Sequence, residues 1–202
     1  MKYKWLNESN NKKLIVFFNG WGMDESVVEH FMFEDYDVLM FYDYNSLDTD
    51  FNFELLTKYS DKYLVAWSMG VMVGTLFDIG YTSATAINGT LKPVDENFGI
   101  HPKIYDLTIK GFNEKGRERF LKTIFNENFN PNVSRKLDEQ KSELSAIKTY
   151  SAKEDFKYSK VFISASDKII PTKSQIAYWG INANLRGAHC PFDLFTKWSE
   201  LL

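Results

Sequence analysis

Three side chains in this sequence have the types and the chain order required for acyl transfer at a serine: Ser68, Asp167 and His189. Ser68 stands in "KYLVAWSMGVMVG" (62–74), between an apolar run that reads as a strand and one that reads as a helix. Its neighbours at −2 and +2 are Ala66 and Gly70. A nucleophile elbow has this form, because a serine held in a strained turn needs small residues where strand and helix approach. The usual pattern is G-x-S-x-G, and here Ala66 replaces the first glycine. A helix N-cap serine produces the same local pattern. A serine hydroxyl attacks a carbonyl only when a base takes its proton and an acid orients that base. Of His30, His101 and His189, only His189, in "LRGAHCPFD", follows the last strand candidate. The alternative for it is a solvated loop histidine. Asp167, in "VFISASDKIIP", follows an apolar run and lies between serine and histidine in the expected order. An aspartate opening a turn is its alternative reading. Asp43, after "VLMFY", competes for the role but precedes Ser68.

Such chemistry also needs two backbone N–H groups aimed at the developing oxyanion. One is expected from Met69, the residue after the serine. The other is expected from Trp21 in "NGWGMD", where Gly20 and Gly22 free the backbone. The same loop opens like a dinucleotide-binding fingerprint, but the third glycine position holds Glu25, so that motif fails. No phosphate-loop lysine motif and no His or Cys metal-ligand spacing is present, so neither cofactor nor metal is expected.

These groups must be carried by a sheet. Continuous apolar runs at 14–18, 37–44, 62–67, 83–89 and 160–166 read as buried strands, with a short sixth at 182–188. Helical patterns at 26–33, 53–59 and 70–80 alternate with them, the last ending at Gly80 as a C-cap. Strands that are apolar throughout belong to sheets covered on both faces, so the class is α/β with a mostly parallel sheet and helices on both faces. Residues 91–158 lack an apolar strand and carry two charged helical stretches, 114–125 and 134–150, the second with a narrow stripe at Leu137, Leu144 and Ile147. They read as a helical lid insertion in a single domain spanning 1–202.

A length of 202 residues suits one domain, and 44% hydrophobic residues are ample for its core. The net charge of −3 gives no bias toward nucleic acid. Aromatic residues reach 16%, more than a core alone requires, and the surplus suits an acyl pocket. The single cysteine, Cys190, excludes an internal disulfide. The apolar run near the start, Leu14 to Phe18, is shorter than a signal peptide or membrane span needs. A soluble cytoplasmic protein is expected, of a size that says nothing about oligomeric state.

"FFNGWGMD", "AWSMGV", "AINGTLKPVDENFGI", "ASDKIIP" and "GAHCPF" together resemble an α/β-hydrolase, and more narrowly the BioG type of pimeloyl-[acyl-carrier protein] methyl ester esterase. The resemblance runs over about residues 13–195. It implies hydrolysis of pimeloyl-ACP methyl ester to pimeloyl-ACP and methanol in biotin biosynthesis. Ser68 would be nucleophile, Asp167 the orienting acid, His189 the base, and Trp21 and Met69 the oxyanion donors. Two residues depart from the commoner esterase pattern: Asn19, where related hydrolases have histidine, and Ala66. The implied partner is an acidic carrier protein, which calls for a basic docking surface. Residues 101–125 hold six basic against three acidic residues, a net +3 in a chain of −3. Lys110, Lys115, Arg117, Arg119 and Lys122 are the candidate carrier contacts, with a solvated amphipathic helix as the alternative. The same triad would serve a small-molecule carboxylesterase or thioesterase, and a hydrolase fold can also serve only for binding.

Overall fold

The computed structural model describes residues 1–77 and 79–202. A six-stranded mixed sheet has the order β1-β3-β2-β4-β5-β6. The strands are β1 (Lys2–Asn7), β2 (Lys13–Phe18), β3 (Tyr36–Tyr42), β4 (Asp61–Trp67), β5 (Ser83–Ile87) and β6 (Lys160–Phe162). β2 through β6 pair in parallel, and β1 runs antiparallel along β3. Side chains alternate across each strand, so β2 sends Leu14, Val16 and Phe18 to one core cluster and Ile15 and Phe17 to the other. β3 and β4 divide in the same way. Both faces are buried, which is why these strands are apolar without interruption.

Among the described residues five α-helices accompany the sheet: α1 (Gly70–Val73), α2 (Pro102–Gly111), α3 (Glu114–Ile124), α4 (Leu137–Ile147) and α5 (Thr172–Trp179). α2, α3 and α4 lie between β5 and β6 in the chain, within the stretch 91–158 where the sequence lacks an apolar strand. α1, α2 and α4 put Val71, Met72, Tyr105, Leu144 and Ile147 into one core cluster. The other face is covered mainly by irregular chain and short 3-10 turns, through Val27, Phe31, Phe192, Trp198 and Leu201, with Ile124 of α3 beside them.

Several elements differ from the sequence reading. β1 was not expected, and its signal is alternation: Lys2 and Lys4 face solvent while Tyr3 and Trp5 pack on Phe51. The expected helix at 26–33 is a single 3-10 turn, Glu25–Val27, capped by Asp24, and 53–59 is likewise 3-10. Over the expected helix at 70–80 the described residues form α1 and one 3-10 turn, after which Phe77 is extended; Asp78 of that stretch lies outside the described residues. The segment 182–188 makes one bridge, Leu185 to Ser164, since its Asn and Gly residues offer no apolar run to bury. α2 and α5 went unread, although each begins beside a proline, Pro102 and Pro171.

Candidate active site

Three of the parallel strands, β3, β4 and β5, are each followed directly by a residue with left-handed backbone: Asp43 (φ 59°), Ser68 (φ 59°) and Asn88 (φ 45°). Left-handed backbone at non-glycine residues is strained and collects at functional sites. Ser68 sits between β4 and α1, and its N–H donates to Ile87 O across to β5 (2.9 Å). The elbow leaves no room at +2: a Cβ on Gly70 would lie 2.3 Å from Phe18 O and 2.7 Å from Asn19 O. At −2, Ala66 is fully buried within β4 and is accommodated there.

Ser68 Oγ lies 2.8 Å from His189 Nε2, and His189 Nδ1 lies 2.7 Å from Asp167 Oδ2. All three side chains are buried. A carboxylate at Nδ1 selects the tautomer protonated there, which leaves Nε2 free to accept the serine proton. Asp167 is itself fixed: Oδ1 accepts from the Ile169 and Ile170 amides, and Oδ2 from Gln175 Nε2. The histidine loop is tied to the sheet by its backbone, since His189 O accepts from Trp67 Nε1 (2.9 Å) and Asn88 Nδ2 (2.8 Å). Asn88 also exchanges two bonds with Ser164 after β6. The other titratable candidates lie elsewhere. Asp43 pairs with Lys2 and Arg135, His30 meets Phe192 O, and His101 caps α2. Cys190, next to the histidine, is fully buried, and burial pushes its thiol well above the usual range.

The loop after β2 approaches the serine from the other side. Asn19 closes it on itself, accepting from Gly20 N and donating to Asp24 O. Gly22 takes φ +71°, which glycine adopts without a Cβ penalty. The Trp21 ring packs on Phe112 and Phe120 of the insertion, and its indole N–H donates to Gln140 O (2.7 Å). Trp21 and Met69 line a cavity of about 130 Å³ together with Ser68, His189, Phe120 and Leu144. Lys168 stands at the same cavity and was not singled out from the sequence. Among the described residues no group of three or more His, Cys, Asp or Glu side chains is placed to hold a metal ion.

The five basic candidates for carrier contact lie on α2 and α3, outside the cavity lining. Lys110, Lys115, Arg119 and Lys122 are exposed, the last paired with Glu118. Arg117 is half-buried and donates to Val133 O, so it anchors the chain ahead of α4. Sequence reasoning missed Gln175, which bonds to Asp167 shortly before it in the chain, and Asn88 and Trp67, whose partner His189 is distant in the chain. No helix among the described residues is long and apolar enough to cross a membrane.

The sequence matches, over residues 1–201, the family described as "Pimeloyl-ACP methyl esterase BioG". A Haemophilus influenzae protein described as "Uncharacterized protein" is 34% identical, with 100% of this chain and 99% of that protein covered. The crystal structure of SeMet-BioG from Haemophilus influenzae superposes with a TM-score of 0.89 at 34% identity, again over 100% and 99% of the two chains. A malonyl-[acyl-carrier protein] O-methyltransferase from Bacteroides fragilis is 35% identical; the match covers 83% of this chain but only 36% of that protein. MenH from S. aureus, at 16% identity and a TM-score of 0.58 over 98% and 93% of the two chains, shares the α/β-hydrolase fold. With its full-length family match and this fold, the chain belongs to the BioG family of pimeloyl-ACP methyl esterases.

Proposed function

We propose that this protein is a serine esterase that hydrolyses the methyl ester of pimeloyl-ACP, giving pimeloyl-ACP and methanol. The observation that carries this reading is the unbroken run of hydrogen bonds from Asp167 through His189 to Ser68 at the wall of an apolar cavity. Membership of the BioG family supplies the substrate. The relative named as a carrier-protein O-methyltransferase contains a region like this chain, which fits a substrate that is an acyl-carrier methyl ester.

His189 takes the Ser68 proton as Oγ attacks the ester carbonyl, and the imidazolium that forms is held by Asp167. The tetrahedral oxyanion accepts from the backbone N–H groups of Trp21 and Met69. Collapse of the intermediate breaks the bond to methoxide, which takes the proton from His189 and leaves as methanol. Water then attacks the acyl-enzyme by the same route and frees the carboxylate. The carrier approaches the basic face of α2 and α3, where Lys110, Lys115, Arg119 and Lys122 meet its acidic surface. A cytoplasmic location follows from the carrier-bound substrate.

Methanol release from pimeloyl-ACP methyl ester by the wild type, and none by Ser68→Ala, is the expected result. Equal release by both refutes the nucleophile. Cleavage of a p-nitrophenyl ester without release from the carrier-linked ester keeps the triad and overturns the substrate.

A further inference from the structure

Two polar side chains of α4, Gln140 and Glu143, are fully buried, although Asp138 and Lys141 on the same helix are exposed. A carboxylate leaves water only at a cost that hydrogen bonds and an opposite charge must offset. The partners of Glu143 are informative. Oε2 accepts from the Gly22 amide (3.3 Å) and from Arg135 Nη2 (3.1 Å), and Oε1 accepts from the Tyr44 amide (2.9 Å). Tyr44 in turn donates its hydroxyl to Asn19 O (2.7 Å). Glu143 therefore grips the loop 19–22 at both ends, directly at Gly22 and through Tyr44 at Asn19. Gln140, one helical turn away, adds a bond from Nε2 to Gly22 O (2.8 Å).

We propose that Glu143 is a positioning residue for the reaction: by holding the Gly22 and Tyr44 amides it fixes the loop that presents the Trp21 N–H to the oxyanion. The insertion is then part of the catalytic apparatus as well as a cover. This rests on the reading of Ser68 as nucleophile and Trp21 as oxyanion donor. A misaimed donor weakens the transition state and leaves ground-state binding nearly unchanged, so the effect falls on kcat.

The grip also responds to acid. Burial pushes Glu143 up to about 7, against the opposing pull of the Arg135 guanidinium and the Tyr44 amide, while Asp43 pushes it further up. The N-terminal amine and the hydroxyls of Tyr44, Tyr105 and Tyr150 also feel its charge. Lys2, on β1, reaches the cluster through Asp43. A proton on either oxygen turns an acceptor into a donor that faces an N–H. Between the two amides and the guanidinium, one bond is then lost.

The test is Glu143→Gln, whose amide nitrogen must also face a donor. On pimeloyl-ACP methyl ester, kcat is expected to fall about 10- to 100-fold, less than the full loss of one oxyanion donor, with KM within about threefold. Protonation of one base lowers log kcat with unit slope on the acid side. The wild type is expected to show a steeper limb near pH 7, and Glu143→Gln the unit slope. A merely structural role leaves that slope unchanged. Should Glu143→Gln fail to fold, Tyr44→Phe removes the hydroxyl's bonds to Asn19 O and, at the end of β3, Phe41 O while keeping the Tyr44 amide on Glu143, and is expected to lower kcat by about three- to tenfold at constant KM. A folded Glu143→Gln with wild-type kcat and an unaltered acid limb overturns the proposal, as does a loss confined to KM. Ser68→Ala run in parallel separates the two readings: its retained turnover overturns the nucleophile and this inference with it, whereas its inactivity beside a fully active Glu143→Gln overturns only the role of Glu143.

Discussion

Replacing Gly70 by alanine drives one methyl group into the backbone on which the elbow rests. The added Cβ would stand 2.3 Å from Phe18 O, 2.7 Å from Asn19 O and 2.8 Å from Phe18 C. All three belong to the main chain at the end of β2 and the start of the loop 19–22, so no rotamer change relieves them. Reaching even 3.0 Å from Phe18 O requires a movement of about 0.7 Å. Overpacking of this kind costs about 1–3 kcal/mol, or roughly 3–10 °C in Tm for a chain of this size. Turnover suffers more, because the displaced backbone leads into the Trp21 amide, and a misplacement approaching 1 Å lowers rate by about 100-fold. Gly74→Ala is the matched control. The atoms nearest its Cβ would be those of the Leu64 and Phe18 side chains, at 3.3 Å, in helical backbone, and alanine gains about 1 kcal/mol of helix propensity there. Urea midpoints and methanol release for both variants are the assay. A folded Gly70→Ala with wild-type turnover, or a Gly74→Ala as impaired as Gly70→Ala, refutes the steric account of the elbow.

Asp167→Asn is expected to lower kcat about 10⁴-fold with little change in the unfolding midpoint, because the asparagine favours the wrong imidazole tautomer; single-turnover kinetics would expose a smaller loss. Asp24→Ala is expected to lose about 2–4 kcal/mol in chemical denaturation, since the carboxylate accepts from the N–H and hydroxyl of both Ser26 and Ser134. Burial opposes its ionisation, but these bonds prevail and hold its pKa below the usual aspartate range. The stability it contributes is therefore complete above about pH 4 and is lost as acid titrates the folded protein, and Asp24→Ala should flatten that acid dependence. Lys115→Glu with Arg119→Glu is expected to lower kcat/KM about tenfold on the carrier-linked ester at low salt and to spare a small soluble ester; equal losses on both would remove α3 from carrier docking.

Local signals were enough where a residue's neighbours in sequence are also its neighbours in space. The apolar runs gave β2 to β5 because both faces of each strand are buried, and small residues around Ser68 announced the tight strand-to-helix turn. β1 was hidden because an edge strand with one exposed face alternates Lys-Tyr-Lys-Trp and lacks an apolar run. The 26–33 segment has helical spacing because Val27, Val28 and Phe31 are all buried, yet only one 3-10 turn forms. The least legible residues were Gln140 and Glu143. They lie outside the apolar stripe of a charged helix, and apart from Arg135 the partners that bury them, Gly22 and Tyr44, are about a hundred residues away.

Those distant partners also link motions that the secondary structure would separate. The Gly22 and Tyr44 amides follow different strands, yet both end on a carboxylate 121 and 99 residues away. In hydrogen exchange their protection should vanish together, at the free energy that lifts α4 and not at the higher one that opens the parallel strands. A molecule whose insertion has swung away then keeps its serine but has lost its grip on the loop beside it. On the proposed role of Glu143, water or a stray ester arriving in that interval would meet Ser68 without a positioned oxyanion donor, and the open state would be a dormant one.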